Sequence, residues 1–370
     1  MSPKKVNQKP FLSKRLQSLR QILRARNLDA LLVSKPQNRF YLTGWPGDFE
    51  SGYLLITEKA NYLFTDSRYT EEVVNSVFGF EIVDIPQTFP TVFAQLTGKL
   101  KLGRIGFESH DLSFFNYKRL RKITRSKLTP IAHSIEDLRA VKDESEVANL
   151  KKAVEIDKKA FEHIRSFIKP GLTEAEVAWE LEKKIKELGA EKVGWHPLIV
   201  AAGANSSIPH YGNSPKVKVK KGDILQLDFG SVFAGYHSDT SRAIFVGKPS
   251  KEQIEIYQLV LQAQELGESL VRSERTGAGI HQKVQDFLKG KSKFYFTHGL
   301  GHGVGLEIHE LPRVSPAGKK KLKTGNCVTI EPGIYRPGWG GVRLEDIVLV
   351  KDKGCEVITK ISKEIKDITL

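Results

Sequence analysis

Two hairpins that each carry a pair of acids constrain this chain more than any other feature. In the first, the apolar run ILQLDFG closes on Asp228, and the return opens at Asp239 within SDTSR, eleven positions on. In the second, VTIEP carries Glu331 and VRLED carries Glu345, fourteen positions on. A carboxylate ending an otherwise apolar strand is costly to bury unless a cation or a donor meets it. One such acid is an ordinary turn residue or salt-bridge partner. Four, on two hairpins of similar design, ask for a shared cation, and their charge would offset two divalent ions.

Between the hairpins lies THGLGHGVGLEIHE, residues 297–310, with His298, His302 and His309 set among four glycines. The glycines alternate as G-x-G-x-G-x-G, which is not the dinucleotide fingerprint, and no G-K-[ST] phosphate loop is present. His309-Glu310 lacks the second histidine of H-E-x-x-H, and there is no G-x-S-x-G of a serine hydrolase. A set of Asp, Asp, His, Glu and Glu is hard and oxygen-rich, suited to manganese, cobalt or zinc.

At 370 residues the chain is expected to form two domains. With 40% apolar and 27% charged residues it has the composition of a globular protein. LSKRLQSLRQILRARNL carries a helical stripe, DALLVSK is a short buried strand, and YLTGWPGDFESGYLLIT and YLFTDSRYTEEVV read as further strands broken by Gly and Pro. LGRIGFES and LSFFNYKRLRKI add a strand and a helix, giving a mixed α/β domain over residues 1–135. A second domain is expected over 136–370. It opens on a long charged amphipathic stretch with Asp143 or Ser145 as its cap, followed by a helix whose capping box pairs Thr173 with Glu176 and which stops at Gly189. Beyond Pro197, KVKVKK, ILQLDFG and SDTSRAIF read as strands, KEQIEIYQLVLQAQELGESLV as a helix, and NCVTIEPGIYRPGWGGVRLEDIVLV as strand, loop and strand. The fold class is α+β.

The formal charge is +15, with basic clusters in residues 1–26 and in YKRLRKITRSK at 117–127. Neither has interleaved stacking aromatics or a zinc knuckle, so no specific nucleic-acid partner is expected. No apolar run approaches the ~20 residues of a membrane helix, so no membrane partner is expected either. Two cysteines, Cys327 and Cys355, without C-x-x-C spacing suit a reducing cytoplasm.

With LDFG, SDTSR, GHGVGLEIHE, IEPGIY and VRLED in place, the sequence resembles the two-domain metallopeptidases of the pita-bread fold, in their Xaa-Pro peptidase branch of aminopeptidase P and prolidase. The segments YLTG, FTDSRY and IEDLRAVKDESE extend the resemblance over the whole chain. It implies a creatinase-like N-terminal domain and a pita-bread catalytic domain. It also implies a two-metal site of Asp228, Asp239, His302, Glu331 and Glu345, with Asp239 and Glu345 bridging. His210, His298 and His309 would face the substrate, with Tyr335 and Arg343 bracing the second hairpin beside it. A metal-bridging hydroxide would attack the carbonyl before proline; His210 or His309 would stabilise the oxyanion, and Glu331 would move the proton. Short peptides with proline second, two divalent ions (manganese first, cobalt or zinc otherwise) and a homodimer are the implied substrate, cofactors and assembly. Two alternatives share the fold: a binding protein without catalysis, and a metal-free creatinase-like hydrolase.

Overall fold

The computed structural model describes residues 9–48 and 51–370. Lys4 and Lys5 of the N-terminal basic cluster lie outside them. The chain divides into two compact units, Met1–Arg139 and Ala140–Leu370.

The first unit is built on a six-stranded mixed sheet. Its strands lie in the order Glu81–Asp84, Asn61–Thr65, Tyr53–Thr57, Ala30–Val33, Arg104–Glu108, Lys127–Ile131. Leu32, Leu55, Phe64 and Ile105 are fully buried there against Phe93 and Leu120 of the helices. Two segments expected as strands are helical. Tyr41–Thr43 completes the helix Pro36–Thr43, with Pro at its start and Gly44 at φ 73° at its end, and TEEVVNS forms the helix Thr70–Ser76. Among the Thr70–Ser76 residues only Val73 is buried, so the Val-Val pair does not supply the alternation that a strand needs.

The second unit repeats one design twice. Thr173 caps the helix Glu174–Glu187 with a complete capping box and bridges to Lys218; Thr276, 103 positions later, caps Gly277–Lys289 and bridges to Lys321. Gly222 and Gly325 share the same spacing and turn the chain at φ 95° and 91°. Asp228 and Glu331 are also 103 positions apart, so the two halves deliver their acids from equivalent strands. In the first half the strands run in the order Thr240–Phe245, Ile224–Phe229, Ile199–Ala202. In the second, Glu310–Val314, Gly301–Gly303, Cys327–Ile330, Asp346–Lys351 and Gly354–Val357 form a five-stranded sheet. An antiparallel bridge between Ser241 and Glu345 joins the two.

Helix Glu144–Phe167 opens on Asp143, not Ser145, which forms the reciprocal cap with Glu146, a motif that contributes about 1 kcal/mol. Its Phe161 stacks on Phe229 with ring planes 5° apart, seating the strand that carries Asp228. KVKVKK does not form a strand. Val217 and Val219 exchange backbone bonds with the turn at Gly171–Glu174 instead. The expected loop of the second hairpin is itself a hairpin, Gly333–Arg336 against Gly340–Arg343. Residues 277–289, absent from the sequence reading, are helical. Among the described residues no helix is long and apolar enough to cross a membrane.

Candidate metal centre

The acids sit where the two halves meet, each at a strand end. Asp228 is the next-to-last residue of Ile224–Phe229, Asp239 directly precedes Thr240–Phe245, Glu331 directly follows Cys327–Ile330, and Glu345 directly precedes Asp346–Lys351. His302 is central in Gly301–Gly303, and the tight packing there explains its glycines. A Cβ on Gly301 would lie 1.9 Å from Thr329 O, and one on Gly303 2.2 Å from Leu311 O. These two glycines thus let neighbouring backbone approach closely.

Asp239, His302 and Glu345 each place one ligand atom within 4.8 Å of the others. His302 Nε2 is 3.3 Å from Glu331 Oε1 and 3.5 Å from Asp239 Oδ2. Its Nδ1 is 3.1 Å from the Gly303 carbonyl, which can only accept, so Nδ1 carries the proton and Nε2 turns toward the acids. The Thr329 hydroxyl donates to Glu331 Oε1 at 3.3 Å and accepts from His302 N at 3.1 Å, tying those two together. Asp228 is held by Arg343, NH2 to Oδ2 at 2.6 Å.

The electrostatics call for a cation. Burial, then the charge of Glu345, pushes the Asp239 carboxyl well above its ordinary range; burial, then Glu331, does the same for Glu345. Burial also lowers the affinity of His302 for a proton, but its contact with Glu331 outweighs this and holds it above the ordinary imidazole value. Two buried oxygens, Asp228 Oδ1 and Glu345 Oε1, have no hydrogen-bond partner among the described residues. Orphaned carboxylate oxygens beside an imidazole nitrogen are what oxygen-preferring divalent ions bind, so these residues fit such ions.

The contacts of the remaining candidates are as follows. The His309 ring stands edge-on to His302 with centroids 4.2 Å apart, and burial, then His302, lowers it to about 4. His298 donates from Nδ1 to the Gly299 carbonyl at 2.7 Å, and its Nε2 meets the Tyr335 hydroxyl at 3.0 Å. Tyr335 in turn accepts from Arg343 NH1 at 3.1 Å. His210 is exposed, after the turn Gly203–Ser207, and Arg343 also holds the Pro209 carbonyl beside it.

Sequence reasoning missed Ser241, Thr329 and Gln226. Gln226 accepts from Arg343 N at 2.8 Å and donates to carbonyls including that of Arg343. The only sequence signal for them is a polar residue at a buried position inside an apolar strand.

Residues 148–352 match metallopeptidase family M24, and residues 15–141 match the creatinase/prolidase N-terminal domain. The Xaa-Pro dipeptidase of Pyrococcus furiosus is 33% identical over 96% of this chain and 100% of its own length. The structure of an Xaa-Pro dipeptidase from Bacillus anthracis superposes with a TM-score of 0.92 at 37% identity, covering 97% of this chain and 100% of that one. An X-Pro aminopeptidase structure from Thermotoga maritima gives 0.87 at 33% identity, covering 93% and 98%. With its acids and imidazole gathered at the meeting of two repeated halves, the chain belongs to metallopeptidase family M24, with a creatinase/prolidase N-terminal domain ahead of the pita-bread peptidase fold.

Proposed function

We propose that the protein hydrolyses the peptide bond preceding proline in short peptides, as an Xaa-Pro peptidase. The observation that carries this reading is the convergence of Asp239, His302 and Glu345 within 4.8 Å, beside two buried carboxylate oxygens that lack a partner. Asp228, Asp239, His302, Glu331 and Glu345 would hold two divalent ions. When bound, such ions lower the pKa of water and polarise a carbonyl. Manganese is the proposed metal, with cobalt and zinc compatible with the same donors.

The chain's own residues supply the rest. His210 or His309 would donate to the carbonyl oxygen as it gains charge, where a preorganised donor is most effective. Glu331, steadied by the Thr329 hydroxyl, passes the proton to the leaving nitrogen. His298, held by Tyr335 and Gly299, borders the proline. We assign this work to residues 136–370, with 1–135 as the partner domain, and propose a cytoplasmic homodimer. No observation favours the non-catalytic or metal-free reading, neither of which uses the five coordinating side chains.

Relatives bear both dipeptidase and aminopeptidase names, so the test compares Ala-Pro, Ala-Pro-Ala and Ala-Ala-Ala with metal-free protein, with and without manganese. Manganese-dependent cleavage of both proline substrates alone indicates an aminopeptidase, and of Ala-Pro alone a dipeptidase. No cleavage by folded, metal-loaded protein overturns the proposal.

A further inference from the structure

We infer that Ser241 is a positioning residue that sets how the carboxylate cluster presents itself to a cation; this rests on the reading of Asp228 and Glu345 as ligands. Ser241 is fully buried in the strand Thr240–Phe245. It lies across from Asp228 in the ladder of the first half and bridges to Glu345 of the second. Glu345 N donates to Ser241 O at 3.2 Å. One residue therefore backs onto a candidate ligand from each half of the domain.

The chemistry of its hydroxyl fixes a direction. Arg343 Nε lies 2.8 Å from Ser241 Oγ and can only donate, so the hydroxyl accepts there. The serine proton is then free for Glu345 Oε2 at 3.0 Å. The same guanidinium donates from NH2 to Asp228 Oδ2. Arg343 thus ties one oxygen of Asp228 directly and one oxygen of Glu345 through Ser241. The oxygens left without a partner are the other two, Asp228 Oδ1 and Glu345 Oε1. Without the hydroxyl, Glu345 loses the bond that selects which of its oxygens is free, and Arg343 Nε loses its acceptor.

Ser241→Ala, Ser241→Thr and Ser241→Val test this. Thr restores the hydroxyl; Val adds similar bulk without it, so crowding cancels between them. Manganese affinity of the metal-free proteins is measured by calorimetry, their folding by circular dichroism, and kcat and KM for Ala-Pro over a series of manganese concentrations. Loss of an orienting hydrogen bond behind a ligand typically costs about 10- to 100-fold in metal affinity. That weakening is expected for Ala and Val, with Thr near the parent. Raised manganese should restore kcat in the Ala variant with KM for the peptide unchanged, and circular dichroism of the metal-free variant separates this from a folding defect, which manganese would also relieve. Equal affinities for Thr and Val, or an Ala variant that binds manganese like the parent, overturns the inference. Should Ala fail to fold, the Thr and Val comparison decides alone. A parent protein that binds no divalent cation would instead overturn the ligand assignment itself.

Discussion

Arg343 and Asp228 form a buried ion pair at 2.6 Å, and the remaining nitrogens of the same guanidinium engage Ser241, Tyr335 and Pro209 O. A lysine in its place would keep the charge but reach only part of that set, because the ammonium lacks the planar fork. Arg343→Lys is therefore expected to lower kcat/KM on Ala-Pro about 10- to 100-fold, with weaker manganese binding. Steady-state kinetics with manganese titration checks this, and parent-like values would mean that charge alone suffices.

Removing metal should destabilise the protein while removing one acid should not. Manganese at about 100 times its Kd adds about 2.7 kcal/mol, a rise in melting temperature on the order of 5–10 °C for a domain of this size. Glu345→Gln relieves the crowding around Asp239, so the metal-free variant should melt at or above the metal-free parent. It should also show no manganese-induced rise and no detectable peptidase activity. Calorimetric scans of both proteins, with and without manganese, separate these effects; a variant that still gains stability from manganese would remove Glu345 from the ligand set.

Asp157 predicts a pH dependence unrelated to metal. It lies fully buried on Glu144–Phe167 beneath the first hairpin, faced by Ser231, Ser238 and Thr240, with Thr240 Oγ1 donating at 3.3 Å. Burial raises its carboxyl from 3.8 to about 7. A folded value above the unfolded one means that the native state holds the proton more tightly. Its contribution is thus present below pH 4, is lost as pH rises from about 4 to 7, and stays lost above. Asp157→Asn should remove that slope, gaining a few kcal/mol over the parent at pH 8 and little at pH 4. Urea midpoints at both values decide, and parallel pH profiles for variant and parent would refute the assignment.

What the sequence made legible was local. Thr173 and Glu176 are three residues apart and their capping box needs nothing else; Asp228 and Glu331 follow apolar runs whose burial makes them conspicuous, and Asp239 and Glu345 open the returning strands. What escaped was set by distant partners. TEEVV carries strand-like residues, yet forms a helix because only Val73 meets the interior. KVKVKK alternates like a strand, but its backbone is taken up by the turn at Gly171–Glu174. Ser241 acquires its role only where two strands 104 residues apart come together, and no spacing within either strand encodes that meeting.

Lys142 and Glu310 make a second buried ion pair, 2.7 Å apart with side chains 0% and 4% exposed. Glu310 follows His309 directly, and the pair packs against Gly305, where a Cβ would lie 2.4 Å from Glu310 Oε1. The pair therefore anchors the chain between His302 and His309. Lys142→Met deprives a buried carboxylate of its cation, an imbalance that typically costs about 3–5 kcal/mol. Lys142→Met with Glu310→Met removes both charges and should recover most of that loss. Denaturant unfolding of the two single variants and the double variant measures the coupling. If His309 depends on this anchor, KM for Ala-Pro should rise in the Lys142→Met variant even where it is fully folded. An additive double variant with parent-like KM would show the pair to be a passive part of the interior.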